Sequence, residues 1–174
     1  AVLAHADERI GQVVDHLERL GILDDTLVIF ASDNGPARAV DPGEPKIYYD
    51  SATGTGWGVN ASKGITGGRR GYKAALFEGG IGVPFIARWP GKVAAGKVDD
   101  ASLISAVDLL PTFCRLTGAS MPDDYVPDGV DILDVLLGTP KPSREKSIFW
   151  KIGATWPPNP QRPDHWVSWA VVKD

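Results

Sequence analysis

The sequence predicts an α/β fold, and three observations lead to this prediction. Residues 2 to 20 carry apolar side chains at three- and four-residue steps, the pattern of a helix with one apolar face. The run Leu27 to Ala31 is continuously apolar and β-rich, which is typical of a strand covered on both faces. The chain has 174 residues, 43% of them hydrophobic and 23% charged, which suits a folded domain with its own core. A helix followed by a buried strand favours a layered α/β architecture.

Further elements follow in order along the chain. Gly21 fits the position after the last turn of the opening helix. Residues 35 to 71 are rich in Gly, Pro, Ser, Thr and Asn, and a connection of that length is usually functional or disordered. The remaining predicted elements are a strand over Val83–Trp89, a helix over Val107–Leu116 stopped by Gly118, a short helix over Asp131–Leu137 and a strand over Trp166–Val172.

Charge and composition exclude several classes of function. The formal net charge is −4, and no block of like charges offers a broad surface to phosphates, so we expect no nucleic-acid partner. The longest apolar runs are strand-sized and fall far short of the roughly 18 residues that a membrane span needs. The single cysteine excludes an internal disulfide.

The first candidate site is the sequence Ser32-Asp33-Asn34-Gly35, directly after the predicted Leu27–Ala31 strand. The carboxyl end of a strand is where open α/β sheets bind ligands. Asp33 and Asn34 supply a carboxylate and an amide carbonyl, which are the hard oxygen ligands that Ca²⁺ or Mg²⁺ prefers. An Asx turn satisfied by local backbone is the alternative interpretation of the same residues.

The second candidate site is the basic, glycine-rich stretch from Gly64 to Lys73. Glycines let backbone N–H groups approach an anion closely, and a cationic side chain adds charge, so a sulfate or phosphate group is the expected ligand. The stretch is not a Walker A loop, because no Gly-Lys-Ser/Thr stands at the required spacing. A solvated basic turn is the alternative interpretation.

Four stretches in series resemble one family. They are DDTLVIFASDNGP, RRGYKAALFEGGIGVPFIARWPGKV, SAVDLLPTFCRLTGA and PDGVDILDVLLG, and together they resemble the C-terminal half of a formylglycine-dependent sulfatase of the arylsulfatase type. The resemblance covers essentially the whole chain. It implies part of an alkaline-phosphatase-like sheet flanked by helices over residues 1–140, and the start of a truncated C-terminal α+β subdomain over residues 141–174.

The resemblance also implies roles for three residues. Asp33 and Asn34 match the pair that helps to bind the active-site Ca²⁺. Lys73 matches the lysine that contacts the substrate sulfate in the pattern R-G-x-K-x-x-x-aromatic-E-G-G. A metal and a fixed cation would stabilise charge that develops on the sulfate oxygens as the S–O bond breaks. Lys73 is therefore the expected substrate-binding and catalytic residue, as a charge stabiliser and not as the nucleophile.

The sequence departs from the family pattern in places. Ala75 stands where relatives often have Ser or Thr, and Gly82 stands where the pattern E-G-G-I-R-V-P has Arg. The family's nucleophile is a formylglycine made from the cysteine of a C-x-P-S-R or C-x-A-S-R motif, and Cys114 in CRLTG does not match it. We expect Cys114 to be a buried, inert thiol. The nucleophile and the other metal ligands are expected in a missing N-terminal part, so the chain alone should not turn over.

The expected function is hydrolysis of a sulfated small molecule or glycan by a Ca²⁺-dependent enzyme, periplasmic or secreted as its relatives commonly are. A phosphatase or phosphodiesterase of the same superfamily is one alternative, although the Asp33-Asn34 pair favours a single hard cation over two transition metals. A non-catalytic sugar-binding module is another, in which Trp156, Trp166 and Trp169 would stack on sugar rings. The sequence assigns no oligomeric state.

Overall fold

The computed structural model of the chain describes residues 2–36, 66–73, 75–152 and 169–173. Most of the predicted loop between residues 35 and 71 lies outside this range, as do Trp156 and Trp166. The elements of the described residues are the helices α1 Val2–Arg19, α2 Glu78–Ile81, α3 Leu109–Thr117 and α4 Leu133–Leu136, the strands β1 Val28–Ala31, β2 Phe85–Arg88, β3 Ile148–Lys151 and β4 Trp169–Val172, and short 3₁₀ turns at Leu23–Asp25 and Ala106–Asp108. No helix in the described part of the chain has the length and apolar character to cross a membrane.

Helix α1 confirms the predicted opening helix and ends where the sequence predicts. Gly21 follows it with a φ of 69°, a left-handed conformation that glycine adopts without strain. The apolar stripe of α1 is largely open, since Leu3 is 86%, Val13 58% and Leu20 57% exposed. This helix therefore contributes little to the core that the described residues form.

Strands β1 and β2 pair with each other in a two-stranded sheet. The indole Nε1 of Trp89, just after β2, donates to the carbonyl of Asp24, just before β1, at 2.8 Å. Because the end of one strand lies beside the start of the other, the pair is antiparallel.

The prediction that Leu27–Ala31 is covered on both faces is wrong for this chain. Leu27 to Ile29 are half-buried, whereas Ala31 is exposed and Phe30 is 43% exposed. Among the described residues β1 has β2 as its one strand neighbour. A continuous apolar run indicates a strand that can be covered on both faces, but the covering layers must come from elsewhere in the fold.

The apolar core is best developed where α3 packs against α4. Ile132, Leu133, Leu136 and Ile148 are each at most 8% exposed. Helix α3 ends at Gly118, whose φ is 73°, and the segment after α4 turns at Gly138, whose φ is 95°. These stops confirm the predicted ends of both helices.

A buried ion pair joins the start of α3 to the segment before β3. The guanidinium of Arg144 donates two hydrogen bonds to the carboxylate of Asp108, at 2.6 and 2.8 Å. Asp108 is fully buried, and it also accepts from the amides of Ser105 and Val130. Four donors thus satisfy both carboxylate oxygens, which removes most of the cost of burying the charge.

The chain divides into two compact units. The first comprises Ala1–Phe30, Phe85–Ile148 and Lys173–Asp174, and the second comprises Ala31–Pro84 and Phe149–Val172. The second unit contains both candidate sites and most of the paired strands β3 and β4. The predicted domain boundary at residue 140 stays a prediction.

Candidate functional site

Asp33 and Asn34 lie in a bend immediately after β1. The side chain of Ser32 donates to the main-chain carbonyl of Asn34 at 2.9 Å, which closes the turn. Asp33 is exposed and Asn34 is half-buried, so a ligand can reach the Asp33 carboxylate. The Ser32 bond uses the backbone of the turn and leaves the Asp33 carboxylate and the Asn34 amide available as oxygen ligands.

The backbone after this turn is hydrogen-bonded to the second candidate site. The amide of Gly35 donates to the carbonyl of Gly80 at 2.7 Å, and the amide of Lys73 donates to the carbonyl of Pro36 at 2.9 Å. A third bond, from the amide of Gly79 to the carbonyl of Arg70 at 2.6 Å, joins the lysine loop to α2. We call the interlocked backbone of residues 35–36, 70–73 and 79–80 the glycine cradle.

Three glycines of the cradle have no room for a side chain. A Cβ on Gly35 would overlap the carbonyl oxygen of Gly79, one on Gly79 would overlap that of Gly71, and one on Gly80 would overlap that of Ala75. Backbone segments approach this closely only where side chains are absent. The glycines therefore allow the Asp33-Asn34 turn and the Lys73 loop to meet.

Arg69 and Arg70 precede Lys73, and their side chains make different contacts. The guanidinium of Arg70 lies 4.1 Å from the centroid of the Phe77 ring in a cation–π contact. That of Arg69 donates through Nη1 to the carbonyl of Gly82 at 3.1 Å. Lys73 itself is exposed, so its ammonium is accessible to a ligand. Among the described residues no carboxylate forms an ion pair with any of these three cations.

The sequence predicts the two sites but not the way in which they join. Asp33, Asn34 and Lys73 belong to one arrangement, because the backbone of residues 35 and 36 contacts that of residues 80 and 73. The density of glycines from Gly67 to Gly82 is the sequence signal for this contact, since close backbone approach requires glycine. Nothing in the sequence pattern points to the link between Arg69 and Gly82.

The donor atoms in the turn fit a hard cation in chemical type. Ca²⁺ takes about six to eight oxygen ligands, and Asp33 with Asn34 could supply two or three of them. In the described part of the chain no three His, Cys, Asp or Glu side chains cluster as a metal site. This portion of the chain therefore supplies part of a coordination sphere at most.

Three further residues singled out from the sequence are Cys114, Ala75 and Gly82. Cys114 is a free thiol on α3, in the first compact unit and not in the glycine cradle, and it is half-buried, so the expectation of a buried thiol is wrong. Ala75, one of the two departures from the family pattern, is only 4% exposed. Gly82, the other departure, accepts the hydrogen bond from Arg69.

Comparison with known proteins decides the family. The sulfatase family profile matches residues 1–119, which is well over half of the chain. The chain belongs to the sulfatase family. This membership agrees with the order of motifs along the sequence.

Individual relatives of this sulfatase chain include enzymes from bacteria and mammals. It is 34% identical to an N-acetylgalactosamine-6-O-sulfatase of Bacteroides thetaiotaomicron over 88% of this chain and 28% of that protein. It is 34% identical to human arylsulfatase A over 85% of this chain and 25% of that protein. The chain thus spans between a quarter and a third of the length of these relatives.

A solved structure supports the same fold. A Bacteroides thetaiotaomicron protein, described in a study of its metabolism of multiple glycosaminoglycans, matches with a TM-score of 0.67 and 27% identity. The match covers 97% of this chain and 30% of that one. The α/β class predicted from sequence is therefore confirmed at the level of the sulfatase fold.

Proposed function

We propose that the parent enzyme, meaning the whole protein to which this sulfatase chain belongs, hydrolyses sulfate esters. The observation that carries the proposal is the glycine cradle, which joins a pair of hard oxygen ligands to a loop bearing an accessible lysine. A sulfate ester carries one negative charge, and further negative charge develops on its bridging oxygen as the S–O bond breaks. A cation held at the sulfate oxygens therefore binds the substrate and stabilises the transition state more strongly.

Lys73 is the substrate-binding and charge-stabilising residue of this proposal. Its ammonium group has three N–H donors and no acceptor, so it can donate hydrogen bonds to the sulfate oxygens. The hydrogen bond from its own amide to Pro36, at 2.9 Å, fixes its backbone relative to the Asp33-Asn34 turn. A fixed backbone lowers the cost of aiming a long, flexible side chain.

Asp33 and Asn34 are the proposed Ca²⁺ ligands of this chain. The ion would supply Lewis-acid stabilisation of the sulfate oxygens. The resemblance to the formylglycine-dependent enzymes assigns the nucleophile and the remaining ligands to parts of the parent enzyme other than these residues. We accordingly expect the 174-residue chain alone to show no turnover of a chromogenic aryl sulfate.

The substrate class and compartment are also proposals. We propose a sulfated small molecule or glycan as substrate, and the names of the two bacterial relatives, which refer to N-acetylgalactosamine and glycosaminoglycans, support the glycan. A periplasmic or secreted location remains a proposal by resemblance. Residues 1–140 would complete the catalytic domain and residues 141–174 would begin a smaller subdomain.

The test is the hydrolysis of an aryl sulfate and the matching aryl phosphate by the parent enzyme. Lys73→Ala should lower kcat/KM for the sulfate about 10²- to 10³-fold, as loss of one preorganised charge stabiliser does elsewhere. Asp33→Ala should raise the Ca²⁺ concentration needed for activity. Lys92→Ala, which removes an exposed lysine from the turn after β2, is the matched control and should have no effect.

Two results would contradict the proposal. Retention of sulfatase activity in the Lys73 variant would exclude the lysine as a charge stabiliser. A preference of the parent enzyme for the aryl phosphate would favour a phosphatase or phosphodiesterase of the same superfamily.

A further inference from the structure

Arg69 links the loop that carries Lys73 to the residue after α2. Its Nη1 donates to the carbonyl of Gly82 at 3.1 Å, across thirteen positions of sequence. One residue further on, the carbonyl of Arg70 accepts from the amide of Gly79 at 2.6 Å. Lys73 therefore lies in a stretch of chain that is closed by two links, one from a side chain and one from the backbone.

The backbone of Arg69 is itself held in a tight turn. The hydroxyl of Thr66 donates to the carbonyl of Arg69 at 2.7 Å, and the amide of Arg69 donates back to the carbonyl of Thr66 at 3.3 Å. Gly67 and Gly68, with φ values of 65° and 84°, allow this reversal of direction. The turn fixes the point from which the Arg69 side chain extends to Gly82.

Position 82 is also where this sequence has glycine in place of the arginine of the pattern E-G-G-I-R-V-P. A Cβ built on Gly82 would lie 3.4 Å from Nη1 of Arg69, so the guanidinium lies against the space in which a side chain at position 82 would begin. Arg70 does not take this place, because its guanidinium lies over the Phe77 ring.

We propose that Arg69 is a positioning residue for Lys73, and that its guanidinium supplies at the end of α2 the positive charge that Gly82 lacks. This inference rests on the proposed sulfate-binding role of Lys73. Arg69 does not touch the substrate in this proposal. It restrains the loop between residues 69 and 82 and thereby the direction in which the Lys73 ammonium points.

The kinetic test uses the parent enzyme and an aryl sulfate. Arg69→Ala should lower kcat/KM about tenfold, since a displaced charge loses part of its effect on the transition state. The kcat/KM of Arg69→Lys should lie between that of Arg69→Ala and that of the wild type, because a lysine keeps the charge but not the planar geometry. Arg88→Ala, which removes an exposed arginine of β2, is the control for a general loss of charge and should match the wild type.

A second substitution tests whether charge at position 82 matters. Gly82→Arg added to Arg69→Ala should restore kcat/KM to within about threefold of the wild type. Gly82→Ala added to Arg69→Ala is the matched control, because any Cβ at position 82 lies 2.7 Å from the carbonyl oxygen of Glu78 and incurs the same crowding. The alanine pair should show no recovery.

A hydrogen-exchange measurement on the parent enzyme does not depend on activity. Because the Lys73 amide donates to the carbonyl of Pro36, we expect it to be protected from hydrogen exchange in the wild type. Arg69→Ala should speed exchange at this amide severalfold, while exchange in α3 stays unchanged. Unchanged exchange together with wild-type kcat/KM would overturn the proposal, as would equal recovery by Gly82→Arg and Gly82→Ala.

Failure of the proposed function gives a different result. In that case the wild-type parent enzyme does not hydrolyse the aryl sulfate, or Lys73→Ala retains full activity. The exchange measurement then still decides whether Arg69 holds the Lys73 loop.

Discussion

The amide of Lys73 donates to the carbonyl of Pro36 at 2.9 Å, which fixes the lysine beside the turn that contains Asp33 and Asn34. Far apart in sequence, the two motifs meet through backbone atoms and not through their functional side chains. The side chains are therefore left available for a ligand while the main chain holds the site together. This division of roles explains why so many positions of the site are glycine.

The contact between Gly35 and Gly79 leads to the first prediction. Gly35→Ala would place a methyl group on the carbonyl oxygen of Gly79, so the cradle must open. The free energy of unfolding should fall by about 1 to 3 kcal/mol or more, as for other overpacked sites. Urea unfolding of the chain measures this change.

Gly11→Ala in α1 is the matched control. No atom lies within 4 Å of a Cβ at Gly11. The same substitution should there raise the free energy of unfolding by about 0.5 to 1 kcal/mol, because alanine is the better helix former. Equal effects at both positions would contradict the assigned role of Gly35.

The buried pair of Asp108 and Arg144 leads to the second prediction. Their side chains are 0% and 4% exposed, so removing the acid takes away the buried carboxylate that binds the Arg144 guanidinium. Asp108→Ala should lower the free energy of unfolding by about 3 to 5 kcal/mol. Glu145→Gln, which breaks an exposed pair with Lys141, should change it by less than about 1 kcal/mol. A smaller loss at Asp108 than at Glu145 would contradict this ranking.

Asp99 should make stability depend on pH at the acid end. The hydroxyl of Ser102, together with the Ser102 and Ala101 amides, lowers the pKa of the Asp99 carboxyl below its ordinary value of 3.8. Because the folded protein holds this proton less tightly than the unfolded chain does, Asp99 stabilises the fold above pH 3.8. That contribution is lost as the pH falls through the lower, folded pKa.

An NMR titration of the Asp99 carboxyl tests this assignment. Ser102→Ala should move the Asp99 pKa up, toward 3.8, because it removes the largest of the stabilising hydrogen bonds. An unchanged pKa in that variant would show that the amides alone cause the shift.

Local patterns predicted the elements of this fold well, and long-range contacts account for the differences. Gly21, Gly118 and Gly138 mark turns at or near helix ends because left-handed backbone favours glycine, and this preference is legible in the sequence. The sequence does not show which elements cover β1, because an apolar run indicates only that a strand can be buried. Phe30, which is 43% exposed, therefore contradicts the prediction of a strand covered on both faces.

The candidate site divides in the same way. Residue types identified Asp33 and Asn34 as candidate oxygen ligands and the basic stretch from Gly64 to Lys73 as a candidate anion site, and the resemblance to the family then singled out Lys73. The link from Arg69 to Gly82 and the pair of Asp108 with Arg144 join positions thirteen and 36 residues apart. Such pairings depend on how the chain folds back, and neither periodicity nor spacing encodes them.

The contact of Lys151 with Trp169 leads to a prediction that distinguishes the proposed enzyme from a sugar-binding module. The Lys151 ammonium lies 4.6 Å from the centroid of the Trp169 ring, and Trp169 is 62% exposed. The ammonium covers one face of the ring, so we expect this pair to stabilise the β3–β4 sheet, with about 0.5 to 1 kcal/mol from the cation–π contact. Trp169→Ala should lower the free energy of unfolding, and Trp169→Phe, which keeps an aromatic face, should lower it less.

Calorimetric measurement of dextran sulfate binding to the chain distinguishes the sulfatase proposal from the sugar-binding module. The sulfatase proposal places sulfate recognition at Lys73, so Lys73→Ala should weaken binding while Trp169→Ala leaves it within about twofold. A sugar-binding module requires the reverse, because stacking on the indole would supply its affinity whatever stands at positions 33 and 73. Loss of binding in Trp169→Ala with full binding in Lys73→Ala would therefore move the functional surface from the glycine cradle to the β3–β4 sheet.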